Sequence, residues 1–417
     1  MEGPGWVRLR AVRRWSHASC LLGLVGAVSF SGSCGDDLPA RCTLTTTVMA
    51  PNALTLMSGA RLDRVGNGFV LLGTDGDHVM WQTIDAAGNV GALRTGTVPA
   101  HTDGPWFGVA AAATPGDHVV VVYATNPSGN KATLTSITFG IDGSAGAAPA
   151  AIGMIPDKGA MKASLLVSAG SGQGGQHMGL LWALKGSGAV TAKILAGTGQ
   201  PVGDDVSLGT VDDIDCPRFI VGQGDLTATF VKTSGNPATK AVVAREFNAD
   251  GSSGSTLNLG LIDWSADLAG GCVPMAAASA GYGFGWRANG KTFSGDDYAY
   301  FDPSRGAGTY TPYPIASDER ASGGHASPIM GLAKTADSVT RFIVVLAQAA
   351  GGQAWEIDFE GHPLSQAVAF PSVKGNTGTF STQPLGGSLY VTYADYTGKS
   401  ATDQTAGSRI FGQVTCH

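Results

Sequence analysis

Charge is scarce in this sequence. Asp, Glu, Lys and Arg together make up 14% of its 417 residues, and acids outnumber bases for a formal net charge of −6. No block of Lys and Arg offers the footprint that grips a phosphate backbone, so no nucleic-acid partner is expected. Histidines number 8 and cysteines 6, and no C-x-x-C, H-E-x-x-H or G-x-S-x-G occurs. The common signatures of zinc, redox and serine-nucleophile chemistry are therefore missing. Long stretches with apolar residues at helical spacing are lacking too, which argues against a helical fold.

Glycine is abundant instead, at 62 residues. It clusters with Ser, Thr and Ala between short bursts of Val, Ile, Phe, Tyr and Trp, which is the texture of many short strands. The first residues differ from the rest. Arg8, Arg10, Arg13 and Arg14 precede the apolar run "ASCLLGLVGAVSF", which is too short for a membrane span and suits a cleaved signal peptide over residues 1–33. "SGSC", ending at Cys34, resembles the lipobox of bacterial lipoproteins, with Ser31 where Leu is usual. The resemblance implies lipidation of Cys34, a short tether over 34–41 and attachment to the cell envelope; the alternative is plain cleavage and secretion. Loss of residues 1–33 removes four Arg and one Glu, shifting the formal charge from −6 to −9.

The rest of the chain repeats. A turn motif, an apolar residue followed by Asp or Asn and then Gly, ends at Gly88, Gly143, Gly251, Gly306 and Gly361, with a weaker copy at Gly197. Successive glycines stand 55, 54, 54, 55 and 55 residues apart. Upstream of each lies a continuous apolar run, such as "FVLLGT", "VVVVYA" and "FIVVLA", that suits a strand buried on both faces. Each unit reads as four strands; in the sixth these are "SPIMGLAK", "RFIVVLAQ", "QAWEIDFE" and "SQAVAFPS". Four short antiparallel strands per unit of about fifty residues mark a β-propeller blade.

The seventh unit is incomplete. Its strands include "LYVTYADY" and "RIFGQVTC", and the chain ends where an outer strand should begin. "CTLTTTVMA", opening at Cys42, supplies a strand before the first full unit. The expected fold is therefore all-β: one seven-bladed propeller over 42–417, built of four-stranded antiparallel blades and closed by the N-terminal strand completing the last blade. Repeat phase pairs Cys42 with Cys416, and Cys216 with Cys272, which stand at the same position in neighbouring units. An exported chain has the redox compartment for both bonds.

"GFVLLGTDGDHVMWQTIDAAGN" and "LYVTYADYTGKSATDQTAGSRIFGQV" resemble repeats of bacterial exported propeller proteins. The resemblance implies a fold and a surface location, and no activity.

Candidate chemistry is sought where loops meet the channel mouth. The connections into each inner strand should share that face with the loops after the buried strand. They gather Asp75, Asp77, His78, Asp212, Asp213, Asp215, Asp296, Asp297, Asp318, Glu319 and Arg320, with Trp264 as a platform for a sugar ring. Such carboxylate density would suit Ca²⁺; acidic loops also keep an exported protein soluble, and no cofactor is required. The Asp residues of the repeated turns should lie on the opposite face and bond to their own backbone. Two functions fit: a non-enzymatic, monomeric scaffold for a surface protein, polymer or glycan, or a hydrolase or lyase acting on a glycan or polysaccharide through loop carboxylates. Membrane contact is expected only through an N-terminal lipid. Intact-mass measurement of the exported chain should show a first residue of Cys34 carrying a diacylglycerol-type mass; an unmodified N-terminus at another residue contradicts the lipid anchor.

Overall fold

The computed structural model describes residues 38–57, 59–75, 78–99, 110–114, 117–125, 132–155, 165–169, 177–183, 189–210, 214–221, 226–234, 239–262, 275–277, 281–289, 294–301, 313–317, 329–334, 340–348, 351–370, 381–395 and 408–417. β1 (Cys42–Met49) comes first in the chain and last in the ring. Blade one holds β2 (Arg61–Val65), β3 (Gly68–Asp75), β4 (His78–Asp85) and β5 (Arg94–Thr97). Blade two holds β6 (Ala110–Thr114), β7 (His118–Thr125), β8 (Ala132–Gly140) and β9 (Ala150–Ile155). Blade three is β10 (Leu165–Ala169), β11 (His177–Ala183), β12 (Ala189–Ala196) and β13 (Pro201–Thr210). Blade four is β14 (Ile214–Val221), β15 (Leu226–Ser234), β16 (Thr239–Phe247) and β17 (Ser253–Ile262). Blade five is β18 (Met275–Ala277), β19 (Tyr282–Asn289), β20 (Ser294–Phe301) and β21 (Tyr313–Ser317). Blade six is β22 (Ile329–Lys334), β23 (Thr340–Gln348), β24 (Gly351–Ile357) and β25 (Val368–Ala369). Blade seven is β26 (Ser381–Leu385), β27 (Ser388–Asp395) and β28 (Ser408–Cys416), with β1 added on the outside.

The first strands of successive blades touch one another in turn, and β26 meets β2, so these strands form a closed inner circle. This is the seven-bladed propeller that the repeats predict. The second strand of each blade is apolar on both faces because a blade lies on each side of it. In β3, Phe69 and Leu71 pack toward blade seven with Tyr390 and Phe411, while Val70 and Leu72 pack toward blade two with Val119 and Val121. The core is thus divided among the seams between blades. Each fully buried aliphatic side chain there contributes about 1.5–3 kcal/mol. Trp81, Trp182 and Trp286 are buried, and Trp355 is partly buried.

Polar groups cross the seams as well. Asp63 accepts from the backbone N–H of Ala113 in the next blade, while the Arg61 guanidinium binds Asp63 and the Ala111 carbonyl. Gln383 and Ser381 of blade seven hold the backbone of Leu62. The Trp81 indole donates to the Ile141 carbonyl, and the Tyr282 hydroxyl donates to Glu246. Buried polar atoms that find such partners fix the angle between blades, since leaving them unmet costs about 1–3 kcal/mol each.

β1 pairs antiparallel with β28 through all eight of its residues, from Cys42 opposite Cys416 to Met49 opposite Arg409. A disulfide joins Cys42 to Cys416 across 374 residues of sequence. From Met49 the chain returns to the inner circle through residues 50–60, held by the buried Arg409, whose guanidinium donates to the carbonyls of Thr55, Met57 and Ala60. At the other end of the strand, the Pro39 carbonyl accepts from Gln366 of blade six, and the Cys42 sulfur lies against the Ser365 hydroxyl. Cys216 sits on inner strand β14, in a register irregularity between Asp215 and Arg218. Its expected partner Cys272 lies outside the described residues.

In the chain-entropy treatment, a crosslink closing so long a loop is worth at most about 6 kcal/mol. Cys42→Ser should therefore lower unfolding stability by roughly 2–5 kcal/mol in urea titration, with Cys416→Ser and the double variant losing the same amount. Three equal midpoints matching the parent would contradict a stabilising bond.

Candidate functional site

The hairpin between the third and fourth strands recurs with one geometry. In blade one the Gly88 amide donates to the Asp85 carbonyl and the Asp85 amide to the Asn89 carbonyl. This is a three-residue loop whose last member must take positive φ, as Gly88 does at 86°. The same two bonds recur around Gly143, Gly199, Gly251 and Gly361, with φ between 79° and 95°. In blade three the turn glycine is Gly199 and not Gly197, because the sequence "AGTG" offers two glycines and only the second occupies the left-handed position. Gly306 lies outside the described residues.

The turn carboxylates serve the turns. Asp85 Oδ1 accepts from the amides of Ala87 and Asn89 at 2.9 and 2.8 Å, and Oδ2 accepts from the Asn89 side chain at 2.7 Å. These bonds, the Asn89 side chain foremost, hold the Asp85 carboxyl below its ordinary value of 3.8. Asp142 and Asp250 likewise use the residue after the glycine: Ser144 and Ser252 supply the donors, and both carboxyls are again lowered. Groups so held are anions that shape loops; they are poor proton donors.

Between blades one and two, on this turn face, an open cleft of about 440 Å³ is lined by Val65, Phe69, Thr83, Asp85, Asn89, Val90, Asp117 and Ile141. The β4–β5 hairpin forms one wall. The other comes from blade two, where Asp117 stands in the left-handed region at φ 59° and its carbonyl accepts from Ile141. The cleft combines two carboxylates, a hydroxyl and an amide with apolar Val65, Val90 and Ile141. That mixture suits a ligand offering hydroxyl or amine donors on one side and an apolar face on the other. Residue spacing pointed to the opposite face. The available signal was the neighbouring pair "TIDAAGNV" and "GDHVVV", which repeat phase brings to one seam.

The residues expected at the channel mouth are only partly in view. Asp75 and His78 are exposed and stand opposite each other at the β3–β4 turn. Asp215 is the second residue of β14, and Asp296 and Asp297 straddle a register shift in β20. Strand direction puts all five at the end of the blades that carries the inter-blade connections, opposite the repeated hairpins. Cys34, Asp77, Asp212, Asp213, Trp264, Asp318, Glu319 and Arg320 lie outside the described residues.

Among the described residues one trio of metal-capable side chains converges: Asp358, Glu360 and His362 in the blade-six turn, with ligand atoms within 4.8 Å of one another. Both Asp358 oxygens already serve the turn, one accepting the His362 amide at 2.8 Å and the other lying 3.1 Å from His362 Nδ1. The sequence "IDFEGH" carries this arrangement openly.

No protein-family model matches the chain, and no curated protein matches it. Solved structures share its fold. The polysaccharide lyase Uly1 superposes with a TM-score of 0.52 at 10% identity, over 88% of this chain and 92% of the lyase. The β-propeller domain of the Trilobed protease from Pyrococcus furiosus gives 0.44 at 9% identity, over 84% and 93%. At such identity the likeness is one of architecture.

Because the folded Asp85 value is depressed, the turn's electrostatic support is complete above about 3.8 and disappears as pH falls through the lowered value. Carboxyl NMR titration should place Asp85 below 3.8, and Asn89→Ala should move it upward. A titration unmoved by Asn89→Ala would contradict this account of the turn.

Proposed function

We propose that the chain is an exported, envelope-anchored binding scaffold without catalytic activity, attached through a lipid on Cys34 and presenting its ring to a glycan, polymer or surface protein. The observation that carries this reading is the commitment of the turn carboxylates. Asp85, the acid best placed in the cleft between blades one and two, accepts three hydrogen bonds from its own hairpin and is held as an anion. A general acid needs a raised value and a free proton; this group has neither. What the cleft offers is a fixed surface: the hairpins are braced by backbone bonds, and the Trp81–Ile141 bond ties its two walls together. A preorganised surface of this kind loses little entropy on binding.

A glycan array, paired with polysaccharide depolymerisation assays on the same preparation, tests the reading. Binding without product formation is expected, weakened about tenfold by Asn89→Ala or by Asp117→Asn, which keeps a residue tolerant of positive φ, with the melting temperature retained. Turnover of any polysaccharide removes the scaffold reading in favour of a glycan-acting enzyme. Binding that ignores both substitutions removes the cleft.

A further inference from the structure

Among the described residues no further strand pairs with the outermost strand of any blade, and unpaired strand edges pair with other chains unless something blunts them. Among the described outer strands, six are blunted. β5 has four residues and carries Arg94, and β25 has two. β9 and β21 each sit across a register irregularity, and β13 and β17 each sit across two, with Asp204 and Asp205 also on β13. β1 is the exception. It runs eight residues without a register break, carries no charge, and its central residues Thr45, Thr46, Thr47 and Val48 are exposed, Val48 at 67%. The neighbouring β25 is too short to cover it.

The strand is also chemically symmetric. Residues 44–48 read Leu-Thr-Thr-Thr-Val, the same pattern in either direction about Thr46. A twofold axis normal to the sheet keeps each side chain on its own side, so paired residues must both be odd-numbered or both be even-numbered. Centred on Thr46, that operation sets Thr46 opposite Thr46, Thr45 opposite Thr47, and Leu44 opposite Val48 twice. Apolar meets apolar and threonine meets threonine, pairs that stabilise a sheet. The absence of charge matters most at the centre, since a twofold sets a charge there against its own copy.

We propose that two copies of this chain associate through antiparallel pairing of β1 with β1 about Thr46, joining their seventh blades into one eight-stranded sheet. The occupant of the edge is a second copy because the strand complements itself, residue by residue, in the register centred on Thr46.

Sedimentation equilibrium on the exported chain as purified is expected to show a reversible dimer. Thr46→Lys places two ammonium groups face to face and should weaken association about tenfold or more, with the melting temperature unchanged because the site is exposed. Thr46→Cys should give a covalent dimer on non-reducing gels, since the residue meets its own copy. A monomer at all concentrations up to about 100 μM, weaker than any specific interface of this kind, overturns the proposal. So does a dimer that survives Thr46→Lys and forms no Thr46→Cys crosslink.

Discussion

Eight backbone pairs between β1 and β28 decide whether this chain is a ring or an arc. A propeller blade cannot bury both faces alone, so each seam needs its neighbour. With blade seven complete, the seam against blade six contains Cys42, Cys416, Val414 and Phe370, and the seam against blade one contains Met49, Phe411 and Tyr390. Without β1, both would be open along their outer edge. The disulfide sits at the end of this ladder and limits how far the ends can part in the unfolded chain. Arg409 holds the return path to the inner circle. Ladder, bond and buried guanidinium thus act on one seam, where a seven-blade ring has its only chain break.

The same closure explains the placement of function. Each blade is rigid because its second strand is apolar on both faces, so variation is confined to the ends of the strands. One end carries hairpins of nearly constant geometry, their carboxylates fixed by their own amides. The other carries the inter-blade connections and the acids Asp75, Asp215, Asp296 and Asp297. A cleft arises on the hairpin face where two neighbouring repeats differ: Asp117 in blade two opposes the Asp85–Asn89 hairpin of blade one.

Much of the fold was legible from the residues because its physical causes are local. Apolar runs such as "FVLL" suit strands covered on both faces, and the missing outer strand of the seventh blade follows from counting repeats to Cys416. The turn phase in blade three was misread at Gly197, since spacing alone cannot tell which of two glycines takes positive φ. Register irregularities near Asp215 and Asp296 left no mark in composition. The cleft was illegible for a different reason: its side chains belong to turns that repeat throughout the chain, and what singles out one seam is the shape between two blades. That shape depends on how neighbouring hairpins lean, which no single repeat encodes.

The central claim is that the two ends of the polypeptide share one sheet. Peptide mapping by mass spectrometry without reduction tests it most directly. The account predicts a crosslinked peptide pair containing Cys42 and Cys416; either cysteine found free, or bonded to Cys216 or Cys272, would contradict it.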